Sequence, residues 1–165
     1  MLTQKFYMQE KVFEILTDFY VKNEQDQDCF IIYSKLFSLA QKQQLLNAQT
    51  HQELLSVEDK LFSWSPIYYV KLNDEILFMI KDECKCMSQE LTITGIINWK
   101  VLGDFYERDF QIFENGQVVA IITKAKYSWG DSYLIEVYNA QPEYVIAVVM
   151  VIQRIIELSR RQHSQ

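Results

Sequence analysis

The feature that most constrains this 165-residue chain is an unbroken apolar run near its C-terminus, Val145-Ile146-Ala147-Val148-Val149-Met150-Val151-Ile152. Eight residues are too few to cross a bilayer core, which takes about 20. A helix built from them has no polar face to offer water, so it must be enclosed on every side. Pro142 suits the first turn of a helix, and Ile152, Ile155, Ile156 and Ser159 recur at i, i+3, i+4 and i+7, which extends the expected helix over 143–161. The β-branched content keeps a strand open as the alternative. Whatever encloses this segment has to be built by the rest of the chain.

The rest of the chain reads as short strands. Lys35-Leu36-Phe37-Ser38 recurs as Lys60-Leu61-Phe62-Ser63, with a weaker copy, Lys85-Cys86-Met87-Ser88, so that the three lysines stand 25 residues apart. Lys126-Tyr127-Ser128-Trp129 is a further relative. A strand–turn–strand pattern precedes each copy: 19–22 with 29–33, 45–46 with 54–57, 68–72 with 76–80, and 110–113 with 118–122. The last pair is joined through Asn115-Gly116, the residues a type I′ turn prefers. Strand-like stretches at 6–15, 91–94, 96–102 and 133–138 bring the total to about a dozen. Eight strands fill a closed barrel with their own side chains, whereas about a dozen leave axial room for a helix ~10–12 Å across. The expected fold is therefore mainly β with one α-helix: a closed antiparallel β-barrel of about twelve strands threaded by its own buried C-terminal hydrophobic helix. With no Pro-, Gly- or Ser-rich linker, one domain is expected over 1–160, with 161–165 as a tail.

Only four Gly and two Pro occur, which excludes collagen-like, linker-rich and Gly-loop nucleotide-binding designs. All four Gly (Gly95, Gly103, Gly116, Gly130) are expected at turns, while the first ninety residues turn with Asn, Asp and Gln. The 16 Lys and Arg against 22 Asp and Glu leave a formal net charge of −6, the wrong sign for neutralising phosphates, so nucleic acid is not an expected partner. Arg160 and Arg161 suit a helix C-terminus. Cys29, Cys84 and Cys86 are odd in number and lack zinc or redox spacing; with no apolar secretion segment at the N-terminus, reduced cysteines in a cytoplasmic protein are expected. No transmembrane segment is expected.

Taken in order, Tyr7-Met8-Gln9-Glu10-Lys11-Val12-Phe13, the two Lys-Leu-Phe-Ser copies, Pro66-Ile67-Tyr68, Gly103-Asp104-Phe105, Phe110-Gln111-Ile112 and Lys126-Tyr127-Ser128-Trp129-Gly130-Asp131-Ser132-Tyr133 resemble the LURP-one-related (YxjI-like) family of the Tubby C-terminal-like superfamily. The resemblance runs over roughly residues 6–157 and implies a twelve-stranded barrel around a central hydrophobic helix. It marks Lys35, Phe37, Ser38, Lys60, Phe62, Ser63, Gly103, Asp104, Phe105, Ser128, Trp129, Gly130 and Asp131 as the structural family motif. Its relatives include phosphoinositide-binding Tubby proteins and calcium-dependent phospholipid scramblases, so phospholipid headgroups or a protein are the partners it implies. The family pattern carries no catalytic motif. Where the scramblases carry a calcium segment, just before the helix, this chain has Asp131 and Glu136, its speculative metal-binding residues.

Read for chemistry, the residues point to binding rather than catalysis. His51 and His163 have no Cys, Asp or Glu partner at ligand or triad spacing, and serine-hydrolase, zinc and phosphate-loop signatures are missing. No catalytic residue and no cofactor is expected. Trp64, Trp99 and Trp129 are candidates for an aromatic ligand site, or else they close the barrel ends or fill the core. The repeated lysines suit strand ends whose stems cover apolar neighbours better than they suit an anionic ligand. The expected function is that of a non-catalytic binding domain, for lipid, a membrane surface or a protein. A small-molecule site or an enzyme pocket at a barrel end is the alternative.

Overall fold

The structure, a computed structural model, describes residues 3–13, 16–34, 42–60, 66–83, 89–126 and 132–164. Twelve strands run in chain order: β1 (Thr3–Phe13), β2 (Leu16–Asn23), β3 (Asp28–Ser34), β4 (Lys42–Asn47), β5 (Glu53–Lys60), β6 (Ile67–Leu72), β7 (Glu75–Asp82), β8 (Gln89–Gly95), β9 (Trp99–Asp104), β10 (Asp109–Glu114), β11 (Gln117–Lys124) and β12 (Ser132–Tyr138). Each pairs antiparallel with its neighbours in sequence, and β1 closes on β12 with Thr3 opposite Tyr138 and Gln9 opposite Ser132. The result is a closed barrel, and the helix α1 (Pro142–His163) follows β12.

Period-two alternation decides which side chains fill the barrel. Tyr68 and Val70 on β6, Leu91 and Ile93 on β8, Trp99 and Val101 on β9, and Ile135 and Val137 on β12 point inward and are buried. They join one cluster with the helix residues Val145, Val148, Val149 and Ile152. Every residue from 145 to 152 is at most 1% exposed, so no direction around α1 meets water over these turns. The helix thus fills the lumen that twelve strands leave open. Pro142 starts it, the Gln141 carbonyl accepts from the amides of Tyr144 and Val145, and Arg160 and Arg161 lie in its last turn, favourable for the helix dipole.

At two places the inward row has no room for a side chain. Gly95 sits opposite Phe78 and Gly103 opposite Phe110, each glycine with positive φ, and both phenylalanines are 1% exposed. A Cβ on Gly103 would lie 2.3 Å from the Asp109 carbonyl oxygen and 2.5 Å from the Phe110 Cα.

Two sequence expectations need correction. Gly103 is not in a turn but inside β9, paired opposite Phe110. The strand expected at 96–102 starts only at Trp99: the Ile96 amide donates to Leu77, so residues 96–98 turn the chain instead. β1 follows the strand expected at 6–15 up to Phe13, residues 14–15 lying outside the described residues, and α1 continues to His163. The polar turns at 23–28 and 47–52 are closed by asparagine side chains. Asn23 Oδ1 accepts from the amides of Gln25 and Gln27, and Asn47 Oδ1 from those of Gln49 and Thr50.

Candidate functional site

The two ends of the barrel differ in chemistry. One end carries the β2–β3, β4–β5, β6–β7, β8–β9 and β10–β11 hairpin turns and the start of α1. Its strand ends and turns (residues 3–5, 22–29, 46–53, 71–76, 94–99, 113–117 and 136–144) hold nine carboxylates and three lysines. That surplus of six equals the whole formal net charge, and thirteen residues of each sign remain elsewhere. The three lysines are already paired: Lys5 with Glu136 at 3.3 Å, Lys22 with Asp26 at 2.9 Å and Lys71 with Glu58 at 2.6 Å. The pairing with Glu136 raises the Lys5 pKa.

Two adjacent hairpins at this end also hold aliphatic side chains in water. Leu72 is 38% exposed, Ile76 54% and Ile96 59%. The β6–β7 turn is Asn73-Asp74, both with positive φ as a two-residue type I′ turn requires, so the strands end at Leu72 and Glu75 with no loop to fold over them. Beside them a groove of about 570 Å³ runs down the outer wall, lined by Thr92, Thr94, Asn98, Lys100, Leu102 and Phe113. Its walls alternate with the core: Trp99 and Val101 point inward, Lys100 and Leu102 outward. Glu114 holds the inward Trp99 by accepting from its indole N–H at 3.1 Å.

The other end receives the C-terminus of α1 and carries a buried polar layer. Arg154, 3% exposed, donates from Nε to Asp59 Oδ2 at 2.9 Å and ties the helix to β5. The Tyr133 hydroxyl donates to Gln153, and the Arg108 guanidinium lies over the Tyr133 ring at 5.3 Å from its centre. None of these residues was a candidate from sequence. The only available signal was the Gln153-Arg154 pair directly after the apolar run.

The structure does not gather the sequence-derived candidates into one place. Trp99 closes the hairpin end from within; Trp64 and Trp129 lie outside the described residues. Glu136 faces outward on β12 against Lys5, and Asp131 lies outside the described residues. Lys60 is exposed at the end of β5, at the end opposite the hairpin turns. Lys35, Phe37, Ser38, Phe62, Ser63, Ser128 and Gly130 also lie outside the described residues. Asp104 accepts from the Glu107 amide at 3.0 Å, and Phe105, 1% exposed, packs edge-on against Phe110. The two histidines are a barrel length apart, His51 in a hairpin turn and His163 in the last turn of α1. Burial pushes the Cys29 thiol pKa up, away from the thiolate.

Residues 4–153 match the LURP-one-related family. A protein from Bacillus subtilis (strain 168), named as uncharacterized protein YxjI, is 24% identical over 148 residues, which is 90% of each chain. An X-ray structure of a protein from Arabidopsis thaliana superposes with a TM-score of 0.68 at 13% identity, covering 93% of this chain and 91% of the other, a likeness of fold alone. With a match that takes in all twelve strands and the first half of the axial helix, the chain belongs to the LURP-one-related family.

Proposed function

We propose that this protein is a non-catalytic binding domain that works from its exterior. The observation that carries the reading is the filled lumen: residues 145–152 are at most 1% exposed, so these turns of α1 present no open surface to a substrate among the described residues. Support comes also from the separated histidines and from the raised thiol of Cys29, since nucleophilic catalysis needs a nucleophile and a base within hydrogen-bond reach. Exterior surfaces among the described residues include the groove at Leu102 and Phe113 and the acidic hairpin end. Anionic lipid attracts basic segments, and a surplus of six negative charges at one end opposes that approach.

Methyl NMR spectra of the full chain test this without foreknowledge of the ligand. They would be recorded against a fragment library and against phosphatidylserine vesicles, with and without calcium. The expected shifts fall on exterior methyls such as Leu72, Ile76, Ile96 and Leu102, with the vesicles inert unless calcium is present. Ligand-induced shifts confined to Val148, Val149 and Ile152 would overturn the exterior reading and restore a pocket-based one.

A further inference from the structure

We propose that the hairpin end carrying Ile76 and Ile96 is a docking surface for a partner protein segment that combines Lys or Arg with aliphatic residues. The inference rests on the exterior-binding reading and adds the chemistry of the occupant. Leu72 pairs with Glu75 across the two-residue turn and Ile76 with Lys71, so Leu72 and Ile76 lie on opposite faces of that hairpin, Ile76 on the outer one. Ile96 neighbours Ile76 because its amide donates to Leu77, the residue after Ile76. Ile76 and Ile96, 54% and 59% exposed on two adjacent hairpins, supply the apolar part of the surface. Thr94 and Asn98, on either side of Ile96 in the chain, line the outer groove, so the patch continues down the wall to Leu102 and Phe113.

Charge selects among the occupants such a patch can take. Asp74 and Glu75 stand between Leu72 and Ile76, and the lysines of this end are committed to Glu136, Asp26 and Glu58. A second copy docked end to end would bring two surpluses of six negative charges together, and an anionic membrane would meet the same repulsion. A basic segment is attracted, its aliphatic residues cover the patch, and its cations answer the carboxylates.

Panning a random dodecapeptide display library against the immobilised full chain tests the inference. Enriched peptides are expected to pair Lys or Arg with Ile, Leu or Phe and to bind more weakly as salt rises. Affinity is expected to fall by about tenfold or more in Ile76→Ser/Ile96→Ser. A similar fall is expected in Asp74→Asn/Glu75→Gln, which leaves the turn intact because asparagine tolerates the left-handed conformation that Asp74 adopts. These positions are exposed, so both double variants are expected to keep the parent's circular dichroism and thermal midpoint. Enrichment of peptides without basic residues, full binding by both variants, or no enrichment at all would overturn the proposal. Failure here alongside exterior shifts in the methyl spectra removes this face alone, whereas lumen shifts remove the wider reading.

Discussion

Gly103 and Gly116 show how differently one residue type can be used. Gly116 occupies the second position of the Asn115-Gly116 turn with φ +77, and nothing stands within 4 Å of the place a Cβ would take. Gly103 has φ +147, and the place a Cβ would take is already occupied by the Asp109 carbonyl oxygen and the Phe110 Cα and Cβ. Gly116→Asn should therefore cost at most about 1 kcal/mol, because asparagine tolerates left-handed φ. Gly103→Ala combines backbone strain of order 1–3 kcal/mol with a clash against backbone atoms that cannot swing away, and should cost about 3 kcal/mol or more. Urea unfolding of the two variants compares them directly; equal midpoints would mean that the Gly–Phe pairing does not constrain the barrel. The contrast was only half legible in the sequence. Asn-Gly announces its turn locally, but the demand on Gly103 comes from a phenylalanine on the next strand, and no local pattern records which residues will face one another.

At the scale of the element, the helix was legible where it is apolar and illegible where it is not. Helical spacing separates a dry face from a wet one only when the helix rests on one surface. Ile152, Ile155 and Ile156 follow that spacing, yet Gln153 and Arg154 between them are 2% and 3% exposed, because a barrel wall surrounds the helix instead of backing one side. Strands were legible for the opposite reason: each has one wall face and one core face, so alternation survives closure. The buried Arg154–Asp59 pair is the long-range contact that sequence could not reveal, its partners 95 positions apart in the chain. Asp59→Asn strands a guanidinium that is almost wholly desolvated and should cost about 3–5 kcal/mol. Asp59→Leu/Arg154→Met removes both charges and should cost much less than the sum of the two single changes. The double-mutant cycle in denaturant measures this coupling; additive single effects would show that the pair does not act as a unit.

For the whole molecule, barrel and helix depend on one another. Twelve strands without an occupant would surround an apolar void, and residues 145–152 without a wall would face water on every side. Each is the other's apolar partner, so the chain should fold in one cooperative step that closes β1 on β12 around α1. Successive helix residues are separated by about 100° around the axis. Val148→Asp and Val149→Asp therefore aim a carboxylate at two different parts of the wall. If α1 merely lay along the outside of the barrel, a sweep of aspartates through 145–152 would find a tolerant direction within each turn. In the lumen there is none. An unpaired buried carboxylate costs several kcal/mol, comparable with the roughly 5–15 kcal/mol that stabilises a domain. Val148→Asp and Val149→Asp should each abolish the cooperative thermal transition, while Ile96→Asp, on the exposed turn, should preserve it. A parent-like transition in either valine variant would place α1 outside the barrel; loss of the transition at both, with retention at Ile96, is the signature of a barrel that cannot close without its helix.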